Sequence, residues 1–128
     1  MLPPANRLTR PDDFRRTIRG GRQARRSTVI VYGRLAGHDG QREPRVGITV
    51  SKSVGGSVVR HRVARLLRHR LRPLVAQAPP GSTWVVRALP GAGRESGTGQ
   101  VAGEVARDLE SAFGELLAGL RSSAEVNS

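Results

Sequence analysis

The segment SVVRHRVARLLRHRLRP, residues 57–73, carries six arginines and two histidines in seventeen positions and no acid. A guanidinium group stays charged and holds anions through a rigid fork of hydrogen-bond donors, so the chemistry on offer is carboxylate or phosphate binding, not proton transfer. On a wheel of about 100° per residue, Val59, Val63, Leu66, Leu67, Leu71 and Leu74 share an arc of about 140°, which predicts a helix with one buried face. His61, Arg62, Arg65, Arg68, His69 and Arg72 fill the opposite arc, and Arg60 lies at the edge of the apolar one. Arg70 falls on the apolar side, where a long stem can snorkel. Each like-charge pair four residues apart costs about 0.2–0.5 kcal/mol. Solvated helix faces ordinarily interleave acids with bases; a stripe without any acid predicts an anionic partner. Basic helices that lie on membranes carry bulky aromatics on the apolar face, and this one has Val and Leu.

Other chemistries are poorly supplied. His38, His61 and His69 form no triad or metal spacing, and the acids cluster away from the basic segment. The glycine turn SVGGS lacks the GxxxxGK[ST] spacing of a phosphate-binding loop. With no cysteine, neither a disulfide framework nor a Cys-based zinc site can form. A stand-alone enzyme is therefore not expected. Nor is a DNA-binding helix-turn-helix, because a helix this uniformly basic has little with which to read base edges.

The charge is also unevenly placed. The chain has 22 basic and 10 acidic residues, a net +12. Residues 1–94 hold twenty of the basic side chains and only Asp12, Asp13, Asp39 and Glu43, or +16, while residues 95–128 come to −4. Between Glu43 and Glu95 there is no acid at all, so this surface cannot neutralise itself and is built to meet a polyanion, with nucleic acid the leading class.

The elements that must position these residues can be traced along the chain. At 128 residues it fits a single domain, with an ordered core over about 6–121 and a tail over 122–128 expected to fray. Pro11 suits a helix first turn, Asp12 and Asp13 its positive end, and Phe14 and Ile18 one face; Gly20 and Gly21 end it. STVIVYGRLA (27–36) and RVGITVS (45–51) read as strands, the second turning Val46, Ile48 and Val50 to one side, with a hairpin-like loop over 38–44. Ser57 is the expected N-cap of the arginine helix and Pro73 lies near its end. After APPGS, TWVVRAL (83–89) reads as a strand and residues 90–99 as a loop; His38, in the polar loop over 38–44, reads as solvated. Val105, Leu109, Phe113, Leu116, Leu117 and Leu120 then mark a last amphipathic helix, whose length Gly103, Gly114 and Gly119 leave open. The order is that of an α+β sandwich. No apolar stretch reaches the roughly 20 residues needed to span a bilayer, and no apolar leader opens the chain, so a cytoplasmic protein away from membranes is expected.

At this point the residues acquire a likeness. VGITVSKSVGGSVVRHRVARLLRHRL resembles the signature region of the protein subunit of bacterial ribonuclease P: a strand, Ser-Lys, a Val-Gly turn, then a helix that opens Arg-Asn-Arg and continues through further arginines. NRLTRPDDFRRTIRGGR resembles that family's opening helix and VIVYGRL its first long strand. The resemblance covers about residues 6–121 and is specific in the first 72. It implies a single-domain α-β-β-β-α-β-α sandwich with a left-handed crossover related to small-subunit ribosomal domains. It further implies a ribonucleoprotein that removes the 5′ leader of precursor tRNA, with the chemistry and its Mg²⁺ carried mainly by the RNA subunit and no DNA partner.

Carried over by position, Arg60, His61 and Arg62 stand in the Arg-Asn-Arg motif, and with Lys52, Arg65 and Arg68 they form the implied surface for the catalytic RNA. Phe14, Ile30 and Tyr32 match the cleft implied to receive the precursor-tRNA leader, where a single strand would need a positive groove and a stacking platform. Three departures stand out: His61 replaces an asparagine, Ile18 a second cleft phenylalanine, and Gly56 an asparagine after the turn. The alternative is another basic RNA-binding protein, such as a ribosomal one.

Overall fold

The computed structural model describes residues 2–35, 42–94 and 100–126. His38 and much of its loop, residues 95–99 of the second loop, and 127–128 of the tail lie outside the described residues. The elements run α1 (Pro11–Gly20), β1 (Arg22–Arg25), β2 (Val29–Leu35), β3 (Arg45–Thr49), α2 (Ser57–Val75), β4 (Ser82–Ala88) and α3 (Gln100–Val126), with short 3-10 turns at Pro4–Asn6, Lys52–Val54 and Pro90–Gly93. This is the expected α-β-β-β-α-β-α order.

The strands form one sheet in the order β1-β2-β4-β3, antiparallel except for the parallel pair β3 and β4, which α2 connects. Strand periodicity divides the sheet's two faces. Val29 and Val31 of β2, Trp84, Val86 and Ala88 of β4, and Val46 and Ile48 of β3 face the main core. Over them lie Val63, Leu67, Leu71 and Val75 of α2, and all six apolar residues that mark α3 in the sequence. Trp84 and Phe113, both fully buried, stack at the centre with ring centroids 4.0 Å apart, and the indole N–H donates to Ser82 Oγ at 2.9 Å, so the one polar atom of this ring is satisfied.

Packing overrides several local signals. Gly103, Gly114 and Gly119 do not interrupt α3, because its apolar stripe is held along the sheet, and the helix continues to Val126, into the stretch expected to fray. Pro73 sits inside α2, which runs on to the buried Val75. Gly56, not Ser57, is the N-cap of α2, and no side chain caps it. The ordered structure also begins before residue 6: Leu2 is buried in the main core, and Leu8 N–H donates to the Val46 carbonyl at 3.0 Å, laying the N-terminal segment along the outer edge of β3. No helix among the described residues is long and apolar enough to cross a membrane.

The acids concentrate where they tie elements together. Asp108 of α3 accepts from Thr28 N–H at 3.0 Å and from Thr28 Oγ1 at 2.7 Å. Glu115 pairs with Arg26 at 3.0 Å. Asp13 meets Arg45 at 3.2 Å, both largely screened from water, and Asp12 pairs with Arg15 on the surface.

Candidate nucleic-acid interface

The presentation of α2 begins in the turn before it. The strand β3 gives way to the 3-10 turn Lys52–Val54, whose Val54 is buried, and Gly55 follows at φ +156°, a conformation that side-chain-bearing residues rarely adopt. A β-carbon on Gly55 would also press on Val59 at about 3 Å. The turn thus fixes where α2 starts, and the buried residues Val63, Leu67, Leu71 and Val75 fix its rotation. Val59, Leu66 and Leu74 flank that stripe half-buried.

What remains outside is the arginine face. Lys52, His61, Arg62, Arg65, Arg68, His69 and Arg72 are exposed, while Arg60 is half-buried at the edge. Arg70 reaches solvent rather than lying along the apolar side. Among the described residues no ion pair involves α2: the three pairs found join α1 to itself, α1 to β3, and α3 to the β1–β2 connection. Val58, 70% exposed at the start of the helix, has no place in the core. Of the six residues implied to meet RNA, five are exposed, and Arg60, His61 and Arg68 also line a groove of about 270 Å³ whose other walls include Ile48, Val50 and Ala64. The Arg60 Nε is buried and has no hydrogen-bond partner.

The second group lies on the opposite face of the sheet. Phe14, Ile30 and Tyr32 come together in a small separate cluster with Leu8, Val85 and Leu89. Period-two alternation puts Ile30 and Tyr32 opposite the core-facing Val29 and Val31. A cross-strand row runs Gln23–Tyr32–Val85–Gly47, and the next runs Arg25–Ile30–Arg87–Thr49. Helix α1 closes part of this face. Thr17 Oγ1 meets Thr83 Oγ1 at 2.7 Å in a buried contact, the Asp13–Arg45 pair holds the helix start, and Phe14 lies over Gly47, where any β-carbon would overlap the ring.

Burial here differs from the open stacking platform expected. Ile30 and Tyr32 are 5% and 7% exposed and Phe14 is half-buried, all three packed into one apolar cluster. Ile18 is the large apolar residue of α1 that projects, at 41% exposure. The basic residues beside this cluster were not singled out in the sequence. Arg87 and Arg25 flank Ile30 only through the pairing of strands far apart in the chain. Arg15, Arg16, Arg19 and Arg34 line a further open groove of about 490 Å³ at the other side of α1. The available signal was the alternation in VVRA, which turns Arg87 away from Val86.

No group of three or more His, Asp or Glu side chains among the described residues converges to hold a metal. What the surface can do chemically is hold a polyanion: a fixed, unneutralised arginine stripe on one side, and an apolar cluster rimmed by arginines on the other.

Comparison with known proteins adds the family. The Ribonuclease P family model matches residues 2–115. The chain is 47% identical to the ribonuclease P protein component of Streptomyces griseus, over 93% of this chain and 98% of that protein. It is 41% identical to the one from Mycolicibacterium paratuberculosis, over 85% and 92%. Among solved structures, the fold is similar to the ribonuclease P protein of Staphylococcus aureus at TM-score 0.72, with 20% identity and coverage of 88% of this chain and 97% of that one. The Thermotoga maritima protein superposes at 0.62, with 23% identity, covering 80% and 90%.

Proposed function

The chain belongs to the ribonuclease P protein family and acts in precursor-tRNA 5′ processing as the protein component of a ribonucleoprotein, and from that premise we propose how its surfaces divide the work. The arginine face of α2, with Lys52, Arg60, His61, Arg62, Arg65 and Arg68, binds the catalytic RNA. The far face of the sheet, around Phe14, Ile30 and Tyr32 with Arg25 and Arg87 at its rim, receives the 5′ leader of precursor tRNA. Mg²⁺ and the cleavage chemistry belong, on this reading, to the RNA.

The observation that carries this reading is the α2 face itself: a row of arginines with which no acid among the described residues forms an ion pair. A phosphate backbone supplies the missing charge, releasing counterions as it does so. For the leader, an apolar floor with cationic edges suits a single strand, whose bases seek apolar surface and whose phosphates seek charge. Burial of Ile30 and Tyr32 means the leader meets the cluster mainly through its rim and through Phe14 and Ile18.

Reconstitution tests the whole reading. The purified chain alone should leave precursor tRNA intact and, mixed with its cognate RNA, should restore cleavage at low Mg²⁺. Absence of stimulation overturns it, and stoichiometric co-sedimentation with ribosomal subunits would favour a ribosomal role instead. The leader assignment is tested by Arg87→Ala, an exposed position whose loss should weaken binding of precursor tRNA more than of mature tRNA; equal losses count against it.

A further inference from the structure

The groove between α2 and the end of β3 is built unlike the rest of the arginine face. A surface that only tracks phosphates needs exposed cations, and Arg62, Arg65 and Arg72 are that kind of residue. The groove adds apolar walls, Ile48 and Val50 from the strand end and Ala64 from the helix, beside Ser57 and the basic residues. Phosphate gains nothing from such walls, since a charged group loses hydration there without a hydrogen bond in return. Arg60 lines the groove too, and its Nε, buried beneath the surface, has no hydrogen-bond partner among the described residues, although buried donors are nearly always paired. At the rim His61 and Arg68 are exposed. The volume, about 270 Å³, falls just below the roughly 300–1,000 Å³ of pockets that take drug-sized ligands, so it suits one flat ring system, not an extended ligand.

We infer that this groove is a single-nucleotide pocket, in which one unstacked base of the partner RNA inserts against Ile48, Val50 and Ala64. Its edge accepts a hydrogen bond from the guanidinium of the half-buried Arg60, and the flanking phosphates lie on Arg68 and His61. Sequence-specific contact with RNA is made through unpaired bases splayed out of the helix, stacked on aromatic, imidazole or guanidinium planes and hydrogen-bonded at their edges; here His61, Arg60 and Arg68 are the planar groups. The pocket supplies each of these parts. This rests on the proposal that the α2 face meets RNA, and it adds that one nucleotide there is held as a base and not only as a charge. It would fix the register of the protein on its RNA, which a uniform stripe of arginines cannot do alone.

Two measurements test it. In the first, the full chain is titrated with adenosine and uridine 5′-monophosphates, and separately with ribose 5-phosphate and inorganic phosphate, following the methyl resonances of Ile48, Val50 and Ala64 and the Arg60 Nε–H by NMR. The nucleotides should move all four saturably, while the two phosphates lacking a base should move only the exposed arginines. Equal shifts with ribose 5-phosphate, or no shift at the apolar walls, overturn the pocket. In the second, Ala64→Leu fills the groove without altering charge. It should keep the helical circular dichroism and melting temperature yet bind the catalytic RNA about tenfold more weakly, with an unchanged salt slope. Unchanged affinity in a folded variant likewise rejects the inference. If the unmodified chain itself failed to bind the RNA, the role of the α2 face would fall, whereas the nucleotide titration would still score the pocket independently.

Discussion

Helices α2 and α3 bury their apolar stripes in one core over the same face of the sheet, yet their outer faces are opposites. The polar side of α3 closes on its own protein: Asp108 takes both donors of Thr28 and Glu115 meets Arg26. The polar side of α2 closes on nothing, since no acid pairs with its arginines among the described residues. One helix spends its charges on holding elements in place and the other keeps them for a partner. Substitutions should therefore separate: changes on α3 alter stability and leave RNA affinity alone, and changes on the outer face of α2 do the reverse.

The largest effect belongs to α3. Phe113→Ala removes a fully buried ring stacked on Trp84 and should cost about 3–5 kcal/mol of unfolding free energy, measured by chemical denaturation. At temperatures where it remains folded, its affinity for the catalytic RNA should match that of the parent chain. A loss of affinity in folded protein would mean the two helices are not independent.

On α2 the sign is inverted. Arg62→Ala combined with Arg65→Ala should lower RNA affinity about 10- to 100-fold and reduce the slope of log affinity against log salt by about 2, as expected for two lost phosphate contacts. Stability should be unchanged or rise by a few tenths of a kcal/mol, because like charges one turn apart repel. A salt slope that stays put would return both arginines to ordinary solvated surface.

How visible this division was in the sequence depends on how local its causes are. The stripe on α2 follows from a 3.6-residue period inside one segment, and the strands from β-branched runs, so both were legible. β1 was not: RQAR has a single buried residue, Ala24, and becomes a strand only by pairing with β2. The cap of α2 also moved, because the geometry of Gly55 and Gly56, not the hydroxyl of Ser57, sets the helix start. Tyr32 lies in a buried cluster with Leu8, which carried no signal in the sequence. The arginines at 25 and 87 reach Ile30 across strand register, which no single stretch of sequence encodes. Edge strand β3 is the junction of both faces: Gly47 lies under Phe14, and Ile48, the next residue, lines the groove beside α2.

A middle-sized effect should come from Asp108→Ala. Its carboxylate is the acceptor for both the backbone N–H and the hydroxyl of Thr28, which is almost fully buried, so removal strands two donors at the start of β2. Leaving buried donors unpaired costs about 1–3 kcal/mol each at most, and relaxation of the loop before β2 should hold the total near the lower part of that range. Denaturation should show the loss, and RNA affinity should not move.

The smallest effect is also the most discriminating. Glu115 and Arg26 are 58% and 26% exposed, so Glu115→Ala should cost no more than about 0.2–1 kcal/mol. It nonetheless raises the net charge by one, as much as Arg62→Ala lowers it. If RNA affinity followed the overall charge of the molecule, the two substitutions would produce opposite and comparable changes. If it follows the local stripe on α2, screening over about 8 Å at 0.15 M salt should hold Glu115→Ala to less than a twofold change, while Arg62→Ala weakens binding severalfold. Comparable changes of opposite sign would show that α2 matters only as part of the total charge, and that its unpaired face is not a site.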